Sequence, residues 1–206
     1  MGALFITLEG PDGSGKSTQS ALLAEWLEAQ GQEVVLTREP GGTALGLEIR
    51  QLLLHRPEDM APRAEALLYA ADRAHHVKTV VRPALAAGKI VLQDRYLDSS
   101  IAYQGAGRVL AAEEIRNISL WATENLLPEL TILLDLSPEQ SRERLDTART
   151  QYDRLESEAF EFHQRVREHY LQLAAAEPER FFVLDGSEAV EVLQEKIRAR
   201  VSALLG

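Results

Sequence analysis

The sequence predicts an α/β domain with a mostly parallel five-stranded sheet flanked by helices. Three observations point to it. Five short apolar runs recur along the chain, stretches of helical periodicity separate them, and a glycine-rich segment lies between the first run and the first helix.

Leu4-Phe5-Ile6-Thr7-Leu8 reads as a buried strand ending at Glu9-Gly10. From Ser17 the pattern is helical, with Leu22, Leu23, Trp26 and Leu27 at three- and four-residue spacing until Gly31. Val34-Val35-Leu36 is the second strand, followed by the loop Pro40-Gly41-Gly42. Helical spacing resumes over 47–54 and again over 63–86, where Gly88 stops it, and Ile90-Val91-Leu92 is the third strand. A helix over 112–126 closes at Pro128, and Thr131-Ile132-Leu133-Leu134 is the fourth strand. Ser137-Pro138-Glu139 opens the next helix with a cap and an N1 proline. The segment 142–153 carries several arginines and little apolar content. A long helix to about Ala176, the strand Phe181-Phe182-Val183-Leu184 and a helix over 188–204 complete the chain. No repeat or long linker divides it, so residues 1–206 are expected to form a single domain.

The composition excludes several classes. With no cysteine, a disulfide scaffold, a thiolate zinc site and a cysteine nucleophile are all ruled out. No apolar run approaches the roughly 20 residues of a membrane helix, and no basic region precedes the first apolar run. A cytoplasmic protein with no membrane partner is expected. The net charge of −10 argues against a nucleic-acid-binding surface, which relies on basic patches. Lysine occurs only at 16, 78, 89 and 196.

Gly10-Pro11-Asp12-Gly13-Ser14-Gly15-Lys16-Ser17 matches G-x-x-x-x-G-K-[ST] after a strand and before a helix. Its glycines let successive backbone N–H groups turn inward around a phosphate, and the helix adds its positive dipole end. Residues Gly10 to Ser17, with Thr18, are the expected ATP site, and the fold expected from the motif is that of the P-loop nucleotide hydrolases. Lys16 would reach the β- and γ-phosphates, and the Ser17 hydroxyl would hold Mg²⁺. Switch GTPases, motor ATPases and small kinases all carry this motif. No N-K-x-D signal for guanine follows the fourth strand, which runs into Asp135-Leu136-Ser137-Pro138, and the compact size favours a small kinase.

The third strand leads into Asp94-Arg95-Tyr96-Leu97-Asp98-Ser99-Ser100-Ile101-Ala102-Tyr103-Gln104-Gly105. An aspartate at the C-terminal end of a parallel strand points into the ligand crevice, and the arginine fork beside it matches a second phosphate. Through this segment, the phosphate loop, Thr37-Arg38-Glu39-Pro40-Gly41-Gly42-Thr43 and Leu68-Tyr69-Ala70-Ala71-Asp72-Arg73, the chain resembles bacterial thymidylate kinases.

The resemblance implies ATP-dependent conversion of dTMP to dTDP for dTTP synthesis, in a homodimer. It implies that Arg95 and Arg50 hold the acceptor's phosphate. Tyr69 takes the place where the family stacks a phenylalanine on thymine, and Arg73 would bond the base carbonyl. Ser100 and Gln104 match residues at the base edge, and Tyr103 matches the aromatic that crowds the sugar 2′ position. Asp12 matches an acid near the 3′-hydroxyl, with Glu39 beside it, and Asp94 would support Mg²⁺ through water. Trp26 and Trp121 are assigned to packing. The adjacent His75 and His76 point to different helix sides, cannot form an i,i+4 metal pair and are assigned no role.

No separate general base is needed, because an acceptor phosphate with a second pKa of about 6 is mostly dianionic at neutral pH. The demand is to align two polyanions and neutralise the transferring group. Some family members place an arginine for this in the phosphate loop, directly after the acid. Gly13 occupies that position here, so the chain resembles the class that delivers the arginine from a lid. The lid candidate is 142–154, carrying Arg142, Arg144, Arg149 and Arg154. Arg149, in Ala148-Arg149-Thr150, best matches the lid position, with Asp153-Arg154-Leu155-Glu156 anchoring the alignment. The pattern's glycine after that arginine is absent, which keeps the other three open. The sequence also admits two other readings: a monophosphate kinase accepting dUMP or dCMP, and a switch that hydrolyses ATP to change partners.

Overall fold

In a computed structural model describing residues 2–55, 60–107, 110–148 and 152–206, the chain folds around β1 (Leu4–Glu9). With β2 (Val34–Arg38), β3 (Ile90–Asp94), β4 (Leu130–Asp135) and β5 (Phe181–Asp185) it forms one sheet of order β2-β3-β1-β4-β5. Every pairing is parallel, as connections through helices require. β1 is buried throughout because strands flank it and helices cover both faces, whereas the edge strands β2 and β5 are partly exposed.

Alternation along β1 sorts its side chains between two layers. Leu4, Ile6 and Leu8 pack against α1 (Lys16–Ala29) and α9 (Val190–Leu205) through Leu23, Leu27, Leu193, Ile197 and Val201. Phe5 faces the opposite layer, with Val77, Val81, Tyr96 and Ile115. Thr7 and Glu9 follow Phe5 onto that side. Each fully buried leucine contributes roughly 1.5–3 kcal/mol.

The opposite layer holds α2 (Ala44–Leu54), α3 (Pro62–His76), α4 (Arg82–Ala86), α5 (Leu97–Ser100), α6 (Ala112–Thr123) and α8 (Phe160–Ala176). The expected helix over 63–86 is continuous, but a π-helical stretch, Val77–Val81, joins α3 to α4. Pro83 has no N–H to donate and its ring crowds the carbonyl four residues back, so the ladder widens there. The segment after Asp94 also proves helical, α5 continuing into a π-helical Ile101–Gly107. No amphipathic period announces it, because Asp98, Ser100 and Gln104 are as buried as Leu97 and Ile101. α6 stops three residues earlier than the sequence suggests, where Glu124 and Asn125 take left-handed conformations (φ 51° and 57°). α7 (Pro138–Ala148) opens with the expected cap, Ser137 Oγ accepting from Gln140 N at 3.3 Å.

The packing assignment holds for Trp26, which lies against the α1–α9 core. It does not hold for Trp121, which is 80% exposed because the buried stripe of α6 runs through Ile115, Ser119, Ala122 and Thr123. Among the described residues no helix is long and apolar enough to cross a membrane.

Candidate active site

The phosphate loop leaves β1 at Gly10, whose φ is 134° and whose Cβ, if present, would lie 2.3 Å from the Leu134 carbonyl oxygen. No other residue fits between β1 and β4 there. The loop ends at Gly15 (φ 92°), which starts α1 without a side-chain cap, leaving the first N–H groups of the helix turned to the loop interior. Lys16 Nζ lies inside the curve, donating to the carbonyl oxygens of Gly10 at 3.1 Å and Pro11 at 2.8 Å. Burial, and then the Arg95 charge, pull its pKa below that of an ordinary lysine. Ser17 Oγ donates to Asp94 Oδ2 at 2.9 Å, while Asp94 Oδ1 is buried with no hydrogen-bond partner among the described residues. These groups border an open cleft of about 1050 Å³ that also reaches Thr18, Arg38 and Arg144.

A second cavity, of about 510 Å³, opens beside it. Glu39, Arg50, Tyr69, Arg73, Arg95, Ser100, Tyr103 and Gln104 all line it, although they come from the residues just after β2 and β3, from α2 and α3, and from the helical segment that follows β3. Asp12, Glu39, Arg50 and Arg95 line both cavities and stand where the two meet.

Arg95 follows β3 in a left-handed conformation (φ 66°), its N–H donating to the Leu8 carbonyl at 3.0 Å. That strained turn aims the guanidinium at the junction. Nη2 donates to Asp12 Oδ1 at 2.8 Å and Nη1 to Ser99 Oγ at 3.1 Å, with the Tyr103 ring 5.1 Å from the guanidinium carbon. Arg50 Nη1 donates to the Pro40 carbonyl at 3.0 Å, and burial followed by Arg38 lowers its pKa. Two partly desolvated guanidinium groups thus face one small cavity, which suits a compact dianion.

Arg73 is 2% exposed. It donates through Nε to Glu39 Oε2 at 2.8 Å, through Nη1 to Ser119 Oγ, and through Nη2 to the Tyr96 carbonyl and Ser100 Oγ. It borders the cavity but holds the pocket wall together with most of its donors. The other Glu39 oxygen accepts from His76 Nδ1 at 2.8 Å, and His76 Nε2 lies 2.7 Å from Thr37 Oγ1. His76 is therefore not idle: it is fully buried and fixes Glu39. Gln104 Nε2 donates to Glu65 Oε1 at 3.0 Å.

The lid arginines separate. Arg149, with Thr150 and Gln151, lies outside the described residues. Arg144 Nη1 donates to the Gly13 carbonyl at 3.2 Å and lines the open cleft beside the phosphate loop. Arg142 lies 4.0 Å over the Tyr152 ring and pairs with Asp146. Arg154 is tied to Glu65 and to the Leu53 carbonyl, away from the phosphate loop. The expected lid segment thus begins inside α7, which Ser141 Oγ anchors to the Asp12 carbonyl at 2.6 Å.

Residues 8–197 match the family model described as Thymidylate kinase. The chain belongs to the thymidylate kinase family. It is 67% identical to the thymidylate kinase of Clavibacter sepedonicus over 205 residues, covering all of this chain and 97% of that protein. It is 55% identical to that of Bifidobacterium longum subsp. infantis over 209 residues, covering 100% and 88%. Among solved structures, the thymidylate kinase of Ehrlichia chaffeensis superposes with a TM-score of 0.78 at 35% identity, covering 96% of this chain and 99% of that one.

Within this thymidylate kinase fold the acceptor residues inferred from the sequence line one cavity, while of the expected ATP-site residues Asp12, Gly13, Gly15, Lys16, Ser17 and Thr18 line the adjoining cleft and Gly10, Pro11 and Ser14 do not. Missed were the residues behind them: Glu9, Glu65, His76, Ser99 and Tyr170. The one available signal was charge inside apolar pattern, as at Glu9, which ends a strand that is otherwise apolar but for Thr7.

Proposed function

We propose that this chain catalyses ATP-dependent phosphorylation of dTMP to dTDP in one P-loop nucleoside monophosphate kinase domain spanning 1–206. The observation that carries the reading is the junction: Asp12, Glu39, Arg50 and Arg95 border the donor cleft on one side and the acceptor cavity on the other. A phosphate held by Arg95 and Arg50 would lie next to a γ-phosphate held by the loop and Lys16.

ATP occupies the loop from Gly10 to Thr18, and Lys16 exchanges its two carbonyl partners for phosphate oxygens. The residues fit a divalent cation: Ser17 and Asp94 are adjacent, and a buried carboxylate oxygen of Asp94 is without a partner among the described residues. Mg²⁺ suits such a pair, since it is usually held by one or two side chains together with phosphates and waters. When bound, Mg²⁺ neutralises charge on the β- and γ-phosphates.

In the acceptor cavity Tyr69 stacks on thymine, Arg73, Ser100 and Gln104 face its edge, and Tyr103 crowds the sugar. Asp12 orients Arg95 and lies near the 3′-hydroxyl together with Glu39. An oxygen of the dTMP dianion attacks the γ-phosphorus, the bond to the β–γ bridging oxygen breaks, and ADP leaves. Proximity supplies much of the rate, and Lys16, Arg95 and a lid arginine, Arg149 by the family pattern, stabilise the spread charge. Arg144, already beside Gly13, is the alternative lid residue.

The active form is a homodimer. Leu67 on α3 and Trp121 on α6 are 55% and 80% exposed on helices that pack together, an apolar surface that association would cover. The enzyme is cytoplasmic and acts on small nucleotides, without nucleic-acid or membrane partners, in keeping with a net charge of −10.

A coupled assay of ADP release tests the reading. ADP formation should depend on dTMP and exceed that with dUMP or dCMP. ATP hydrolysis that is indifferent to dTMP would replace the kinase by a switch.

A further inference from the structure

Glu9 is a fully buried carboxylate at the end of β1, one residue before the phosphate loop, and no step of the reaction uses it. Its surroundings are made of donors. Oε1 accepts from Tyr96 N at 2.7 Å, and Oε2 accepts from Ser99 Oγ at 2.6 Å and Tyr170 Oη at 2.8 Å. The two hydroxyl oxygens are 2.8 Å apart and both lie against Arg95 Nη1, at 3.1 and 3.5 Å.

Proton counting fixes the polarity of this cluster. Each hydroxyl has one proton, and a carboxylate brings none. The hydroxyl protons go to Glu9, or one goes to the other hydroxyl, and none points at the guanidinium. Both oxygens are left to accept from Arg95. An apolar side chain would fill the same space without the desolvation cost of a buried charge, so packing alone does not explain a glutamate here. Burial, and then Asp98, push its carboxyl up to about 7.

We propose that Glu9 is a positioning residue for Arg95: by taking the protons of Ser99 and Tyr170 it turns both hydroxyl oxygens toward the guanidinium and holds it at the junction of the two cavities. Asp12 grips Nη2 from the donor side, and the Glu9 cluster grips Nη1 from behind. The inference rests on reading Arg95 as the ligand of the acceptor's phosphate.

Glu9→Gln is the informative change. With its oxygen kept on Tyr96 N, the amide presents NH₂ where Oε2 stood, and a hydroxyl proton is driven toward Arg95. Calorimetric titration at about pH 8, where the glutamate is charged, would compare dTMP with thymidine, which lacks the phosphate. For Glu9→Gln the expectation is dTMP affinity weakened about tenfold, the size of one lost charge-assisted hydrogen bond, with thymidine affinity unchanged. Equal loss for both ligands, or no loss for either, overturns the proposal. Arg95→Gln run alongside separates the two levels. If it leaves dTMP affinity intact, the reading of Arg95 is what fails; if it weakens dTMP while Glu9→Gln does not, the Glu9 inference fails alone. Should Glu9→Gln not fold, Tyr170→Phe removes one relay hydroxyl and keeps the carboxylate. It should weaken dTMP about threefold and spare thymidine, and any other pattern counts against the proposal.

Discussion

Arg95 and Asp12 form an ion pair, Nη2 to Oδ1 at 2.8 Å, that crosses from the end of β3 to the phosphate loop. It lies where the two cavities meet, so in the proposed reaction one contact would register both substrates. Removing Arg95 should cost more than acceptor affinity. In Arg95→Ala we expect kcat/KM for dTMP to fall by about a hundredfold or more, with KM for ATP little changed. Steady-state kinetics with each substrate varied in turn check this.

Lys16→Ala should lower kcat by about a hundredfold or more and leave dTMP affinity within a few-fold, since the ammonium is enclosed by the phosphate loop and not by the acceptor cavity. A matching loss of dTMP affinity would place Lys16 on the acceptor.

Arg149→Ala is expected to reduce kcat with little change in dTMP affinity. If turnover is retained, Arg144→Ala becomes the variant expected to lose it, because Arg144 already reaches the Gly13 carbonyl. Single-turnover rates for the two variants decide between them.

Arg73→Ala should weaken dTMP binding and also destabilise the fold. Glu39 and Arg73 are each about 2% exposed, and removal of the guanidinium leaves Glu39 with His76 alone and Ser119 and Ser100 unmet. Breaking such a buried pair costs about 3–5 kcal/mol, readable by urea denaturation.

Glu9 also carries a pH signature. Its pKa rises from 4.5 to about 7 in the folded protein, first through burial. Folding therefore increases its hold on a proton, and its stabilising contribution is complete below 4.5 and lost as pH rises through 7. Between about pH 5 and pH 8, the wild-type melting temperature should fall relative to Glu9→Gln. A constant difference over that range would show that Glu9 does not titrate with folding.

The sheet was legible because buried parallel strands are apolar runs, and all five were found from pattern alone. Most residues that line the two cavities were legible as well, because the phosphate loop and Arg95 lie in short local motifs and the rest follow from the family resemblance. What stands behind them was not. Ser99 and Tyr170 lie 90 and 161 positions from Glu9, and His76 is 37 from Glu39, so only the fold makes them neighbours. His76 has no role in the sequence because adjacent histidines on a helix cannot form an i,i+4 metal pair, a criterion that says nothing about a buried hydrogen bond. The packing assignment of Trp121 fails because helix phase turns it outward.

In the proposed reaction one molecule of dTMP and one of ATP meet at the junction of the two cavities. The most direct measurement is a crystal structure of the enzyme with dTMP and a non-hydrolysable ATP analogue. The dTMP phosphate is expected within hydrogen-bond distance of Arg95 and Arg50, in line with the γ-phosphate above Lys16. A dTMP phosphate bound away from Arg95, or directed away from the phosphate loop, would contradict it.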